Sequence, residues 1–258
     1  YKRQRELLNL VQREEYLNNL LDLSEYELAA YYTINPLDKR IIFERRTDRA
    51  RIGYAVQLCL LRYPGFVPSN PKDIPLEIIE FIGEQIDVSP NEFLRFLERP
   101  TSLREHRQEI KERFQFTSYS KQYDIKLLQH LEKSAEENQS TLNMLTLLIN
   151  YLRDKKIIVP AFSYLETIIW QAKFESDQMA QQKLLSLIPS DQIEAINALL
   201  ELRNQSNLSN LGWLKIPTKQ ASANTFKLID EKIMYLNQFS YVAEQLPISI
   251  LKQKEYYR

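Results

Sequence analysis

The chain has 258 residues, enough to bury a sizeable core and to form one to three domains. Lys+Arg and Asp+Glu both number 34, so bulk charge attracts no polyanion, and any such attraction must come from a local patch. Four glycines, two histidines and one cysteine exclude a Gly-rich phosphate loop, an internal disulfide and a Cys/His zinc set.

Leu, Ile, Glu, Lys, Arg and Gln dominate the long stretches, and eleven prolines punctuate them, so the expected class is all-α. Residues 5–23 carry Leu7, Leu8, Val11, Leu17, Leu20 and Leu21 near helical spacing and predict a first helix. Ser24 with Glu27 makes a capping box for a helix through Tyr32, and Asn35-Pro36 starts another that runs to about Arg46. Asp48 is the expected cap of the next helix, whose Ile52, Ala55, Val56, Cys59, Leu60 and Tyr63 predict one apolar face before Pro64-Gly65 stops it. Short connections between these helices match the layout of a helix-turn-helix unit. Further helices are predicted over 76–86, 90–98, 102–114, 122–135, 140–153, 161–185, 189–203 and 222–240. Helical modules are expected with boundaries at 1–118, 119–187 and 188–258; the last is a linker or the start of a third module.

Chemistry is scarce. Cys59 lies within Gln57-Leu58-Cys59-Leu60-Leu61 and reads as a buried structural thiol. His106, in Arg104-Glu105-His106-Arg107, reads as part of a solvated helix face, and His130 as a bystander on an amphipathic helix. Glu14-Glu15 and Glu136-Glu137 are sequence neighbours that diverge on a helix and cannot chelate together. No catalytic residue, metal ligand or cofactor is expected in this chain. Nor is a membrane span, since no run of about 18 uncharged apolar residues exists. The N-terminal charges have no apolar stretch behind them, which argues against a signal peptide. The chain does not begin with Met and reads as a fragment, expected in a reducing cytoplasm.

Basic residues are the informative set. Lys39, Arg40, Arg45, Arg46, Arg49, Arg51 and Arg62 face only Asp38, Glu44 and Asp48 between Pro36 and Tyr63, a local excess in a neutral protein. Six of the seven fall around one helix end, a turn and the next helix start, where helix-turn-helix proteins meet phosphates and base edges. A solvated basic surface accounts for the same residues; if the segment binds DNA, Arg45, Arg46, Arg49 and Arg51 are the expected main DNA-facing residues, with base contact from Arg49 or Arg51 and phosphate contact from Arg45 or Arg46. A second patch comprises Arg99, Arg104, Arg107, Lys111 and Arg113, and a third Arg153, Lys155 and Lys156. Tyr31, Tyr32 and Tyr54 lie beside the first patch in sequence, in positions that suit a core edge or base stacking.

The run Arg51-Ile52-Gly53-Tyr54-Ala55-Val56-Gln57-Leu58-Cys59-Leu60-Leu61-Arg62-Tyr63-Pro64-Gly65, preceded by Tyr31-Tyr32-Thr33-Ile34, Asp38, Ile41 and Glu44-Arg45-Arg46, resembles the opening region of the Tn-three family of replicative transposases. Phe81-Ile82-Gly83-Glu84-Gln85, Arg104-Glu105-His106, Lys155 to Pro160, and Leu214-Lys215 with Pro217 fit the same resemblance, which weakens after about residue 190. Ala50 departs from the pattern, in which a polar residue such as Asn often precedes Arg-Ile-Gly; if that residue contacts DNA in relatives, the contact is absent here. The resemblance implies the N-terminal region of a much longer bacterial enzyme, built of tandem helix-turn-helix-type modules, whose three catalytic carboxylates lie downstream in a ribonuclease-H-like domain. It implies double-stranded DNA at the transposon's terminal inverted repeats as partner, together with the rest of the transposase and a possible second copy. Expected DNA-binding residues are Lys39, Arg40, Arg45, Arg46, Arg49, Arg51, Arg104, Arg107, Lys155 and Lys156, and the implied location is the bacterial cytoplasm, on the nucleoid when bound. The competing reading is a helical interaction module that assembles or regulates the transposase without sequence-specific DNA contact. An independent small enzyme lacks candidate residues.

Overall fold

The computed structural model describes residues 7–68, 70–98, 100–187, 190–203, 207–217 and 222–237. Arg99, placed in the second basic patch above, lies outside them. Among the described residues the fold is all-α: thirteen α-helices and isolated bridges, with no strand.

The first four helices are α1 (Leu10–Leu21), α2 (Glu25–Tyr32), α3 (Pro36–Phe43) and α4 (Asp48–Arg62). Asn9 with Gln12, Ser24 with Glu27, and Asn35 with Asp38 form reciprocal capping boxes at the first three, so each start is fixed by two otherwise orphaned amides. Thr47, rather than Asp48, caps α4, its hydroxyl accepting from the Ala50 amide. α3 ends at Phe43, and the turn through Arg46 follows.

α4 differs most from expectation. Ile52 to Leu61 are ten consecutive buried residues, so the helix is enclosed on all sides rather than on one face. α5 (Leu76–Ile86), α6 (Asn91–Leu97) and α7 (Pro100–Phe114) pack around it with α2 and α3. The approach of α6 is close: a Cβ on Gly53 would sit 2.4 Å from the Phe96 ring, and only glycine leaves that space.

This core, from Leu21 to Ile110, is one of two hydrophobic clusters among the described residues. The second comprises Leu8 and the facing sides of α8 (Asp124–Glu136), α9 (Thr141–Asp154) and the first half of α10 (Phe162–Leu187). Apart from Leu8, the buried residues of the two clusters fall on either side of Ser118, but the chain ties the clusters together. α1 lies on the second cluster, where Arg13 grips the buried Glu166 carboxylate at 2.7 and 2.9 Å and the Tyr16 hydroxyl meets Thr146 Oγ1 at 2.8 Å. Thr117 N–H donates to the Lys156 carbonyl, Ile158 N–H to the Thr117 carbonyl and Val159 N–H to the Gly65 carbonyl. Both clusters thus belong to one compact unit, Tyr1–Phe174.

The second unit, Glu175–Arg258, includes α11 (Ser190–Ala198), α12 (Asn210–Lys215) and α13 (Ala223–Leu236). α12, unforeseen in the sequence, is capped by Ser209. Trp213 lies beneath the Arg203 guanidinium at 3.5 Å with Tyr235 edge-on to it, and Lys232 donates to the Leu214 and Ile216 carbonyls at the end of α12. No described residue of α12 or α13 is buried.

Candidate nucleic-acid interface

The basic segment from α3 to α4 divides into side chains that hold the fold and side chains that face solvent. Arg62, at the end of α4, makes bidentate bonds of 2.6 and 2.8 Å to Asp38, a carboxylate 1% exposed, and stacks on Phe114. The Asp38 hydrogen bonds raise the Arg62 guanidinium further above its ordinary value. Arg45, in the turn before α4, grips Glu109 of α7 at 2.7 and 2.9 Å and lies 5.0 Å over the Tyr54 ring. Glu109 and Glu44 also receive Arg113, and the Arg113 hydrogen bond holds the Glu44 carboxyl below the usual range. Arg51 bonds Asp48 at 2.7 Å and the Arg45 carbonyl at 3.1 Å while stacked on Phe43. Three of the seven patch residues therefore neutralise carboxylates of the chain itself.

The other four differ. Lys39 and Arg40 on α3 and Arg46 in the turn are exposed, and Arg49 in the first turn of α4 is half-exposed. None of the four makes an ion pair among the described residues. Burial of α4 beyond Arg51 leaves its first turn as the accessible part, so no long face of this helix is free to lie in a groove. Position matters as well. The N-terminus of a helix carries partial positive charge, so Arg46 and Arg49 gain nothing there from the helix, whereas an arriving anion gains from arginines and helix together.

Of the remaining expected residues, Arg104 and Arg107 are exposed on α7 with no ion pair among the described residues. Lys155, the cap residue closing α9, is exposed, and Lys156 adopts a left-handed conformation with its ammonium 3.3 Å from the Phe114 carbonyl. Lys156 is therefore partly engaged in closing α7. Arg153 in the last turn of α9 lies 4.7 Å over the Tyr63 ring.

One expectation about a single residue needs correction. His106 is not on a solvated face: it is 8% exposed, packed between Tyr54 and Phe96 at 5.4 and 5.1 Å between ring centres. Burial pushes its imidazole down to about 4, with the Arg45 charge adding to the effect. Leu103, His106 and Ile110 share one face of α7, a spacing that the flanking charges masked. Tyr32 and Tyr54 are fully buried and cannot stack on bases; Tyr31 is exposed on one side and stacked on Tyr63 on the other. Cys59 is buried as expected, and burial lifts its thiol to about 12, outside the range of a nucleophile at neutral pH. His130 is exposed and tilted against Tyr151. Among the described residues no three His, Cys, Asp or Glu side chains gather as a metal set, and no helix is long and apolar enough to cross a membrane.

Comparison with known proteins gives this geometry a setting. The chain is 33% identical over 240 residues to the transposase for transposon Tn1546 of Enterococcus faecium, covering 91% of this chain and 24% of that protein. It is 29% identical over 217 residues to the transposase for Tn501 of Pseudomonas aeruginosa, covering 80% of this chain and 22% of the relative. Against the transposase for Tn21 of Escherichia coli it is 26% identical over 228 residues, or 88% and 23% of the two chains. The chain thus spans about a quarter of the length of the curated relatives it matches. Residues 7–172, which include both hydrophobic clusters, match a family model described as a domain of unknown function, DUF4158. The kinship with Tn-three-family transposases and the match over most of the chain lead to one conclusion: this chain belongs to the DUF4158 family.

Proposed function

We propose that the chain is the DNA-binding N-terminal region of a transposase and recognises the terminal inverted repeats of its transposon. The observation that carries this reading is the set Lys39, Arg40, Arg46 and Arg49, left without carboxylate partners among the described residues, with Arg46 and Arg49 flanking the positive end of α4. Clustered cations that serve no internal pair raise the local potential for a polyanion even where net charge is zero. Arg104, Arg107 and Lys155 extend the contact. The catalytic carboxylates of the whole enzyme lie outside this chain, which itself performs no hydrolysis or strand transfer.

The test is a fluorescence-anisotropy titration of the 258-residue chain against a duplex carrying the terminal repeat of its own element and a scrambled duplex of equal length. The repeat is expected to bind at least about tenfold more tightly. Equal affinities would remove repeat recognition from the reading, and failure to bind either duplex would remove DNA binding altogether.

A second reading applies to Glu175–Arg258. Phe226, Ile229, Ile233 and Leu236 recur along α13 at helical spacing and are 38–78% exposed, which favours assembly with the rest of the transposase or a second copy. Light scattering of the chain and of Ile233→Glu tests the second copy: a dimer lost on substitution is expected, and a monomer in both leaves the rest of the transposase as the partner.

A further inference from the structure

We infer that Arg153, held against the Tyr63 ring where the two hydrophobic clusters meet, is a preset contact for a DNA backbone phosphate, separate from the α3–α4 patch. The inference rests on the proposal that the chain binds duplex DNA.

The Tyr31 and Tyr63 rings are parallel within 4° with centres 3.9 Å apart, and Arg153 Cζ stands 4.7 Å from the Tyr63 centre. Two groups cannot occupy the same face of one ring at these distances, so Tyr63 is layered between Tyr31 and the guanidinium. Tyr63 is itself fixed: its N–H donates to the Cys59 carbonyl and its carbonyl accepts from the Tyr32 hydroxyl. The Gly65 backbone approaches the Arg153 stem, since a Cβ there would lie 3.7 Å from Arg153 Cγ and 3.0 Å from Val159. Both the stem and the plane of Arg153 are therefore restrained.

Its donors are not engaged by any described residue. Within Tyr1–Phe174, four described arginines stack on aromatic rings: Arg45 on Tyr54, Arg51 on Phe43, Arg62 on Phe114 and Arg153 on Tyr63. Three of them also pair with a carboxylate, Glu109, Asp48 and Asp38 respectively. Arg153 has the ring and no anion among the described residues. A cation in the last turn of α9 is favoured by the helix, but that field acts on charge alone and needs no oriented plane. None of the Arg153 N–H groups goes to the terminal carbonyls of α9 either. A half-exposed guanidinium with fixed plane and open fork fits a phosphodiester oxygen pair, and the exposed Lys155 beside it adds charge. Arg153 sits at the Tyr63 end of α4, about 20 Å along the helix axis from Arg49, so the two serve different phosphates.

The test measures the salt dependence of binding by the 258-residue chain, on the repeat and scrambled duplexes, for the parent, Arg153→Gln and Arg153→Lys. One lost phosphate contact lowers the log–log slope by about 0.9, which over the decade from 1 to 0.1 M salt is about an eightfold loss of affinity. Arg153→Gln should show both changes on both duplexes, and Arg153→Lys, which keeps the charge, should recover most of the slope. A parent-like slope in Arg153→Gln overturns the inference while DNA binding stands. A slope lost equally in Arg153→Lys marks a purely structural role and also overturns it. A parent that binds neither duplex overturns this inference and the proposed function together.

Discussion

Arg45 and Glu109 are locked in a bidentate pair at 2.7 and 2.9 Å that pins the turn before α4 to the middle of α7. The Arg45 side chain is 18% exposed and Glu109 27%, so the pair is partly shielded from water, and its geometry is of the kind that contributes to stability. The Arg45 guanidinium also covers the Tyr54 ring, whose burial lifts its hydroxyl to about 12. Arg45→Ala should lower unfolding stability by about 1–3 kcal/mol through lost hydrogen bonds and lost packing. The salt slope of DNA binding should not change. Denaturant melts beside the binding titrations separate the two effects; a flattened slope with parental stability would show Arg45 to be a DNA contact after all.

Gly53 gives a sharper packing test. Its missing Cβ is where the Phe96 ring rests, at 2.4–2.5 Å from the position a methyl would take, and Phe96 is 2% exposed. Ala is the better helix former by up to about 1 kcal/mol, so on propensity alone Gly53→Ala would stabilise α4. Overpacking against a buried ring outweighs this, and a net loss of about 1–3 kcal/mol is expected. Phe96→Leu in the same chain should recover part of it. A rise in melting temperature for Gly53→Ala alone would show that α6 can move aside.

Much of this architecture is legible along the chain because its causes are local. Ser24-Glu27 and Asn35-Pro36-Asp38 cap their helices from within four residues, and the spacing that fills α5, α8 and α9 is periodic in sequence. The enclosure of α4 had a signal of its own: Gly53 to Leu61 contains no charged residue, too many apolar positions for one face. What sequence could not show is pairing at a distance. Arg45 and Glu109 are 64 positions apart and Asp38 and Arg62 are 24 apart, so a count of charges in the patch could not tell engaged arginines from open ones.

His106 predicts a pH dependence. Its folded-state value, about 4, lies below the ordinary value of 6.5, so between them the unfolded chain binds the proton that the folded chain refuses. The neutral ring's contribution is therefore complete above pH 6.5, falls as pH drops toward 4, and changes no further below that. Over the whole window this one group accounts for at most about 3 kcal/mol. His106→Phe, which keeps a ring between Tyr54 and Phe96, should remove this part of the acid sensitivity. The difference between parent and variant melting curves from pH 7 to pH 4 isolates it from the carboxylates. Parallel curves would mean that His106 gains a proton without unfolding.

The open basic residues should divide by what they touch. Arg51 is held by Asp48 and by the Arg45 carbonyl, which leaves Arg49 as the unpaired arginine of the accessible first turn of α4. If that turn reaches base edges, Arg49→Gln should weaken binding to the terminal repeat by about 1–3 kcal/mol and leave the scrambled duplex nearly unaffected. Lys39, Arg40 and Arg46 lie on α3 and in the turn, where contacts are to phosphate. Each change to Gln should weaken both duplexes alike and lower the log–log salt slope by up to about 0.9. None of the four side chains makes an ion pair among the described residues, so none of these variants should shift the melting temperature by more than a surface substitution does. That expectation sets them apart from Arg45 and Arg62, whose loss strips a partner from a shielded carboxylate. Were Arg49→Gln to weaken both duplexes equally, the first turn of α4 would touch the backbone only, and sequence would be read elsewhere on the chain.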